Sequence, residues 1–392
     1  MVGIARHVAS RSSWPMSNTR GPLHGLRVID LSTVIAGPNC ARYLADFGAE
    51  VIKVENPDTG DSLRGMGWED PRDGNGLWWK LVSRNKRTIA LNLKNDYDRD
   101  VFLRLIDDAH VLIENFRPGT LERLGIGPDV LMKRNNKIVI TRVTGFGQTG
   151  PYASRPGFAS IAEAMSGYAS ITGMPGGEPM LPAFAMTDEV TGLSAAFATM
   201  VALHSGKSQV VDVSLLETVF QILGPLMSVW KVRGELQERM GSSLPFTVPR
   251  GVFQCGDGEW IAVSASSDSV ALRVVKLLGF EGDDRFSTFQ NRVVNRAVLD
   301  EGMAQWCKQR TREEALRVFE EAEAAAGPVL SMKDIADDPH YAAREAIVEL
   351  DGTPMQGLIA KLSETPGILN WGGRPMDADG DDIRQHGWQT HD

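Results

Sequence analysis

The carboxylate of Asp188 is the most chemically suggestive group in this chain, set in LPAFAMTDEVTGLSAAFATM where an apolar run meets the start of a long apolar helix. A carboxylate there can receive helix N–H groups and the positive end of the helix dipole, which would keep it ionised and fixed. Read locally, Thr187 or Asp188 is an ordinary N-cap; a catalytic aspartate is the alternative. Arg117 and Arg123, in NFRPGTLERLG, flank a Pro-Gly turn after a strand and could hold an anionic ligand, or simply decorate a short helix. SRNKRTIALNLK gathers Arg84, Lys86, Arg87 and Lys94 into the most basic patch of the chain, either a solvated face or a site for a polyanion such as a nucleotide or coenzyme A. GFGQTGPYASRPGF carries four glycines and two prolines in fourteen residues, more backbone freedom than a simple turn needs.

Other chemistries lack their residues. The seven histidines show no HxH or HExxH spacing, so a metal site has no support. No GxSxG elbow is present. STVIAGP, the first strand-to-helix turn, has neither GxGxxG nor GxxxxGK[ST]. Cys40, Cys255 and Cys307 are odd in number and far apart, which suggests a reducing compartment.

These groups must be positioned by alternating strands and helices. LRVIDLS, AEVIKVE, RTIALNL, HVLIENF and KIVITRVTGFG read as strands, with helices PNCARYLADFG and DYDRDVFLRLIDDA between them. Strands joined by such crossovers make a parallel sheet, so the expected class is α/β. After SQVVDVSLLE and a Met/Leu-rich helix the pattern breaks at GELQERMGSSLPFTVPRG. A large domain is expected over residues 21–231 and a smaller α+β domain over 232–330. The tail, 331–392, is too irregular for its own core and should pack back on the first domain or on a partner.

With 50 acidic against 41 basic residues among 392, the chain carries nine excess negative charges, which argues against nucleic-acid binding. No run approaches the ~20 apolar residues of a membrane span. Residues 1–20 contain three arginines and no acid. They read as a disordered extension, consistent with a cytoplasmic protein; a mitochondrial presequence is the alternative.

Taken in order, LHGLRVIDLSTVIAGP, GAEVIKVE, NKRTIALNLK, ENFRPGTLERLG, GFGQTGPYASRPGF and the Asp188 segment resemble the class III CoA-transferases, over about residues 22–350. The resemblance implies a Rossmann-like large domain built from both chain ends, a small inserted domain, and two chains interlocked as a homodimer. It implies that Asp188 is the nucleophile, attacking an acyl-CoA thioester to form a mixed anhydride and then an aspartyl-CoA thioester that an acceptor acid resolves. No permanently bound cofactor is implied; coenzyme A is a cosubstrate, and the partners are acyl-CoA and small carboxylic acids. The CoA site implied by the resemblance comprises Val34, Ile35, Ala36, Asn56, Leu91, Lys94, Asn115, Arg117, Arg123 and Phe158.

Three of these depart from the formyl-CoA transferase and racemase patterns. Ile35 replaces a glutamine, Asn56 an arginine, and Phe158 the histidine that α-methylacyl-CoA racemases use as second base. The formyl-CoA transferase glycine-rich flap is also missing, MGSSLPFTVPRG standing in its place. A racemase or isomerase, or a non-catalytic CoA-binding homologue, is the alternative. Gly145–Gly150 and the glycines of TGMPGGEP are candidate oxyanion donors. Lys86, Arg87, Lys94, Arg117 and Arg123 are expected to form a basic pocket within the acidic protein.

Overall fold

The computed structural model describes residues 20–389. Apart from Arg20, the expected extension over 1–20 lies outside the described residues.

Six strands form one wholly parallel sheet: β1 (Arg27–Asp30), β2 (Glu50–Glu55), β3 (Lys86–Ala90), β4 (Val111–Glu114), β5 (Val139–Thr144) and β6 (Gln209–Ser214), ordered β3-β2-β1-β4-β5-β6. The crossovers carry α1 (Ala36–Ala45), α2 (Leu77–Val82), α3 (Asp96–Asp108), α4 (Thr120–Arg123), α5 (Pro128–Arg134), α6 (Ala159–Met165), α7 (Tyr168–Ile171) and α8 (Met186–His204). The order reverses between β1 and β4, the switch point outside whose strand ends open α/β sheets bind ligands.

Continuous burial explains the parallel arrangement, because β1 to β5 are covered on both faces. Side-chain alternation sends Ile29, Ile52, Ile89, Leu112 and Ile140 toward Phe102 and Leu105 of α3. Val28, Val51, Val111 and Val143 face the other way, toward α1 and α8. β6 is an edge strand, and its burial alternates accordingly.

The chain divides into two compact units, one of residues up to 163, 182–222 and 344 onward, the other of 164–181 and 223–343. Within the first unit, the returning tail covers the outer edge of β3. The Ala90 N–H donates to Asp377 (2.8 Å) and the Thr88 N–H to Asp379 (2.9 Å), while Ile383 and Trp388 join the core. Side-chain carboxylates thus close an edge that would otherwise invite another strand. The second unit contains an antiparallel sheet of Arg250–Gln254, Trp260–Ser264 and Ala326–Pro328, packed with helices around Phe253, Ile261, Val274, Met303 and Phe319.

Candidate active site

In a parallel sheet every strand ends at the same edge, and crossover helices start there. Val34, Ile35 and Ala36 follow β1, Asn56 follows β2, Leu91 and Lys94 follow β3, Asn115 and Arg117 follow β4, and Phe158 lies beyond β5. α8 begins at that edge and brings Asp188 to it. The match is closest at the β1–α1 loop. Ala185, the residue preceding α8, packs with Val34 in the cluster built on Ile35, Leu63 and Trp79. One turn after Asp188, a Cβ on Gly192 would lie 2.7 Å from the Asn39 Cβ and 2.9 Å from the Ala36 carbonyl oxygen. Only a glycine lets the two helices meet this closely, and the contact fixes the start of α8 against the start of α1.

Asp188 is not the helix cap. Helix α8 starts at Met186 behind Ala185, with no side-chain cap bond, and the Thr187 hydroxyl donates instead to Glu163 at 2.7 Å. Nor does the helix start hold Asp188 at or below the usual carboxylate range, as the capping argument expected. Its half-buried setting, together with the charges of Glu163 and Glu189, pushes the carboxyl up from 3.8 to about 6. Glu189 itself is engaged by α1, accepting a hydrogen bond from the Tyr43 hydroxyl (3.2 Å) beside Arg42 (3.6 Å). A desolvated carboxylate that does not cap its helix is a stronger nucleophile than a capped one.

The residues before Val34 are held by side chains from several strands. The Ser32 N–H and hydroxyl donate to Asp30, and the Ser32 carbonyl accepts from the Lys53 ammonium. Asn115 accepts from the Thr33 N–H (2.8 Å) and donates to the Thr33 carbonyl (2.7 Å), bridging the switch point. The Val34 N–H donates to Asp61 at 3.0 Å. Sequence reasoning passed over Asp30, Lys53, Asp61 and Glu163, all buried. For Asp30 and Lys53 the available signal was a charge inside a short apolar strand, as in RVID and VIKVE.

The expected basic pocket needs correction. Lys86 is fully buried at the start of β3, donating to Asp30 (2.8 Å) and to the Pro38 carbonyl (2.7 Å). Burial alone would raise the Asp30 carboxyl, but Lys53 and Lys86 together hold it below the usual carboxylate range. An ammonium in a doubly covered sheet requires such a partner, so Lys86 is unavailable to a ligand. Arg84 is buried against Asp46 (2.6 Å), and Arg87 pairs with Asp382 (2.6 Å). Lys94, Arg117 and Arg123 are exposed.

The remaining candidates divide by burial. Leu91 is a core side chain, so at that position only the backbone can meet a ligand. Ile35 is buried as well, Asn56 is exposed in a turn with its side chain accepting from the Asp58 N–H, and Phe158 is exposed ahead of α6. Of the proposed oxyanion donors, the Gly147 N–H donates to the Thr144 hydroxyl (3.0 Å) and the Gln148 N–H to Asp212 (2.9 Å), so these two are occupied. Residues 173–179 belong to the second unit.

The model of CoA-transferase family III matches residues 23–380. The chain belongs to that family. This family III CoA-transferase is 41% identical over 371 residues to the succinyl-CoA–L-malate CoA-transferase beta subunit of Chloroflexus aurantiacus, covering 90% of this chain and 91% of that one. It is 37% identical to the succinyl-CoA–D-citramalate CoA-transferase of the same organism, covering 90% of each. Among solved structures, a CAIB/BAIF family protein from Brucella suis superposes with a TM-score of 0.83 at 30% identity, over 93% of this chain and 99% of that one.

Proposed function

We propose that this CoA-transferase moves coenzyme A from an acyl-CoA thioester to a carboxylic acid through covalent intermediates on Asp188. The carrying observation is the half-buried, uncapped Asp188 carboxylate at the sheet edge that presents Val34–Ala36. Its oxygen attacks the thioester carbonyl; the C–S bond breaks, leaving a mixed anhydride and the CoA thiolate. The thiolate attacks the aspartyl carbonyl, the anhydride C–O bond breaks, and the donor acid departs, leaving an aspartyl-CoA thioester. An acceptor carboxylate reverses both steps. Lys94, Arg117 and Arg123 are the exposed cations at this edge that oppose the CoA phosphates.

The relatives' names support succinyl-CoA as donor and a short dicarboxylic or hydroxydicarboxylic acid as acceptor. A two-base racemase finds no support at Phe158, whose ring cannot accept a proton. We also propose that two copies interlock as a homodimer. Leu193, Phe197 and Val201 expose an apolar stripe at four-residue spacing along α8, and Phe220 and Ile222 are exposed as well.

Mass spectrometry of the protein incubated with succinyl-CoA and a panel of acids tests the reading. Transfer and a hydroxylamine-sensitive adduct on Asp188 are expected. Transfer retained by Asp188→Ala would sink the mechanism.

A further inference from the structure

Val34 occupies the left-handed region at φ +68°. A β-branched side chain there is a genuine outlier, costing roughly 1–3 kcal/mol, and it persists only where surrounding groups impose it. Three constraints converge on it. Lys53 and Asp30 hold Ser32, Asn115 holds both backbone groups of Thr33, and Asp61 takes the Val34 N–H. Asp61 is the common anchor, because its Oδ1 accepts from the N–H groups of Val34 (3.0 Å) and Leu63 (2.9 Å) while Oδ2 accepts from Lys53 (2.8 Å). All these groups belong to the first unit, and both Asp61 and Lys53 are buried.

We infer that Asp61 is a positioning residue for coenzyme A, holding Val34 in its strained conformation so that the Val34–Ala36 backbone is preorganised for the ligand. The inference rests on the CoA reading of that loop given above. Asp61 touches no reacting atom. Its loss leaves the nucleophile on α8 in place and loosens the loop that receives the cosubstrate. Preorganisation of this kind lowers the ordering cost of binding, so its removal registers in KM rather than in kcat.

Asp61→Asn is the test. An amide has one acceptor oxygen where a carboxylate has two, so either Lys53 or the pair of N–H groups must face an NH2. The expected result is a rise of about tenfold in KM for acyl-CoA, with kcat changed by less than about threefold. Val34→Gly supplies the second arm, since glycine adopts this φ without strain and needs no anchor. In that background Asp61→Asn should raise KM by less than about twofold, a coupling that a merely structural role would not produce. Equal effects in both backgrounds overturn the inference, as does a fall in kcat with KM unchanged.

Hydrogen exchange over residues 32–36 separates this inference from the CoA reading. Faster exchange in Asp61→Asn than in the parent chain is expected, whatever the protein binds. Unchanged exchange overturns the positioning role, and faster exchange with no rise in KM overturns its link to coenzyme A. A parent chain that neither binds nor transfers CoA refutes the reading instead. If Asp61→Asn fails to fold, the double variant with Val34→Gly should fold; failure of both shows that Asp61 acts through Lys53 or Leu63 and not through Val34.

Discussion

The Thr187 hydroxyl donates to the buried Glu163 carboxylate at 2.7 Å, anchoring the first turn of α8 to α6 one residue before Asp188. Glu163 thereby performs two tasks. It fixes the approach of the helix, and its negative charge, added to desolvation and to Glu189, disfavours ionisation of Asp188.

On the proposed mechanism Asp188 attacks as a carboxylate, so kcat/KM should rise with pH through about 6, the value to which its carboxyl is pushed. Glu163→Gln keeps an acceptor for Thr187 and removes the charge. Its acid limb should lie at lower pH than that of the parent chain. A pH–rate profile of both proteins checks this, and coincident limbs would exclude an electrostatic role for Glu163.

Stability should run against activity at Asp188. The folded-state pKa of about 6 lies above the ordinary 3.8, so the folded chain binds more protons between these values and stability falls as pH rises through that window. Above pH ~7 the whole cost, on the order of 3 kcal/mol, is present. Asp188→Asn should therefore melt a few degrees higher than the parent at neutral pH, with the difference vanishing near pH ~3. Thermal scans across pH decide it; equal melting at neutral pH refutes the burial argument.

Gly192→Ala should be destabilising, although alanine is the better helix former by ~1 kcal/mol. The new methyl would meet the Asn39 Cβ at 2.7 Å and the Ala36 carbonyl oxygen at 2.9 Å, and backbone cannot yield cheaply. Overpacking of about 1–3 kcal/mol is expected, with a loss of kcat as the start of α8 shifts. Denaturant melts and steady-state kinetics on the same variant test both effects.

Lys86→Met and Arg123→Ala should fail differently. The first strands Asp30 in the sheet without its 2.8 Å partner, a loss of about 3–5 kcal/mol. The second removes an exposed guanidinium that donates to the Thr120 hydroxyl at 2.8 Å, and should raise KM for CoA in a salt-dependent way without moving Tm. A stable Lys86→Met variant with weakened CoA binding would restore Lys86 to the phosphate site.

The parallel sheet was legible because its strands are short apolar runs separated by well-signalled helices; Pro38 and Gly48 mark one helix at both ends. Asp188 stood out as a candidate only through the ordered motifs around it, since by local sequence it passes for a cap. The cations misled more. Lys86 and Lys94 look alike in SRNKRTIALNLK, yet one is buried against Asp30, 56 residues away, and the other is exposed. Local sequence carries no information about a partner on a distant strand. The same limit hid Asp61, which resembles an ordinary turn aspartate until its second oxygen meets Lys53.

The carboxylates of Asp377 and Asp379 that close the β3 edge come from a part of the chain synthesised after every residue of the second unit. During vectorial synthesis the second unit is complete in sequence while the parallel sheet of the first unit still has an open edge. That edge is closed only once Asp377 and Asp379 have left the ribosome. A premature stop late in the message would therefore yield not a slightly shortened enzyme but a chain with an unguarded strand, prone to associate before any active site exists.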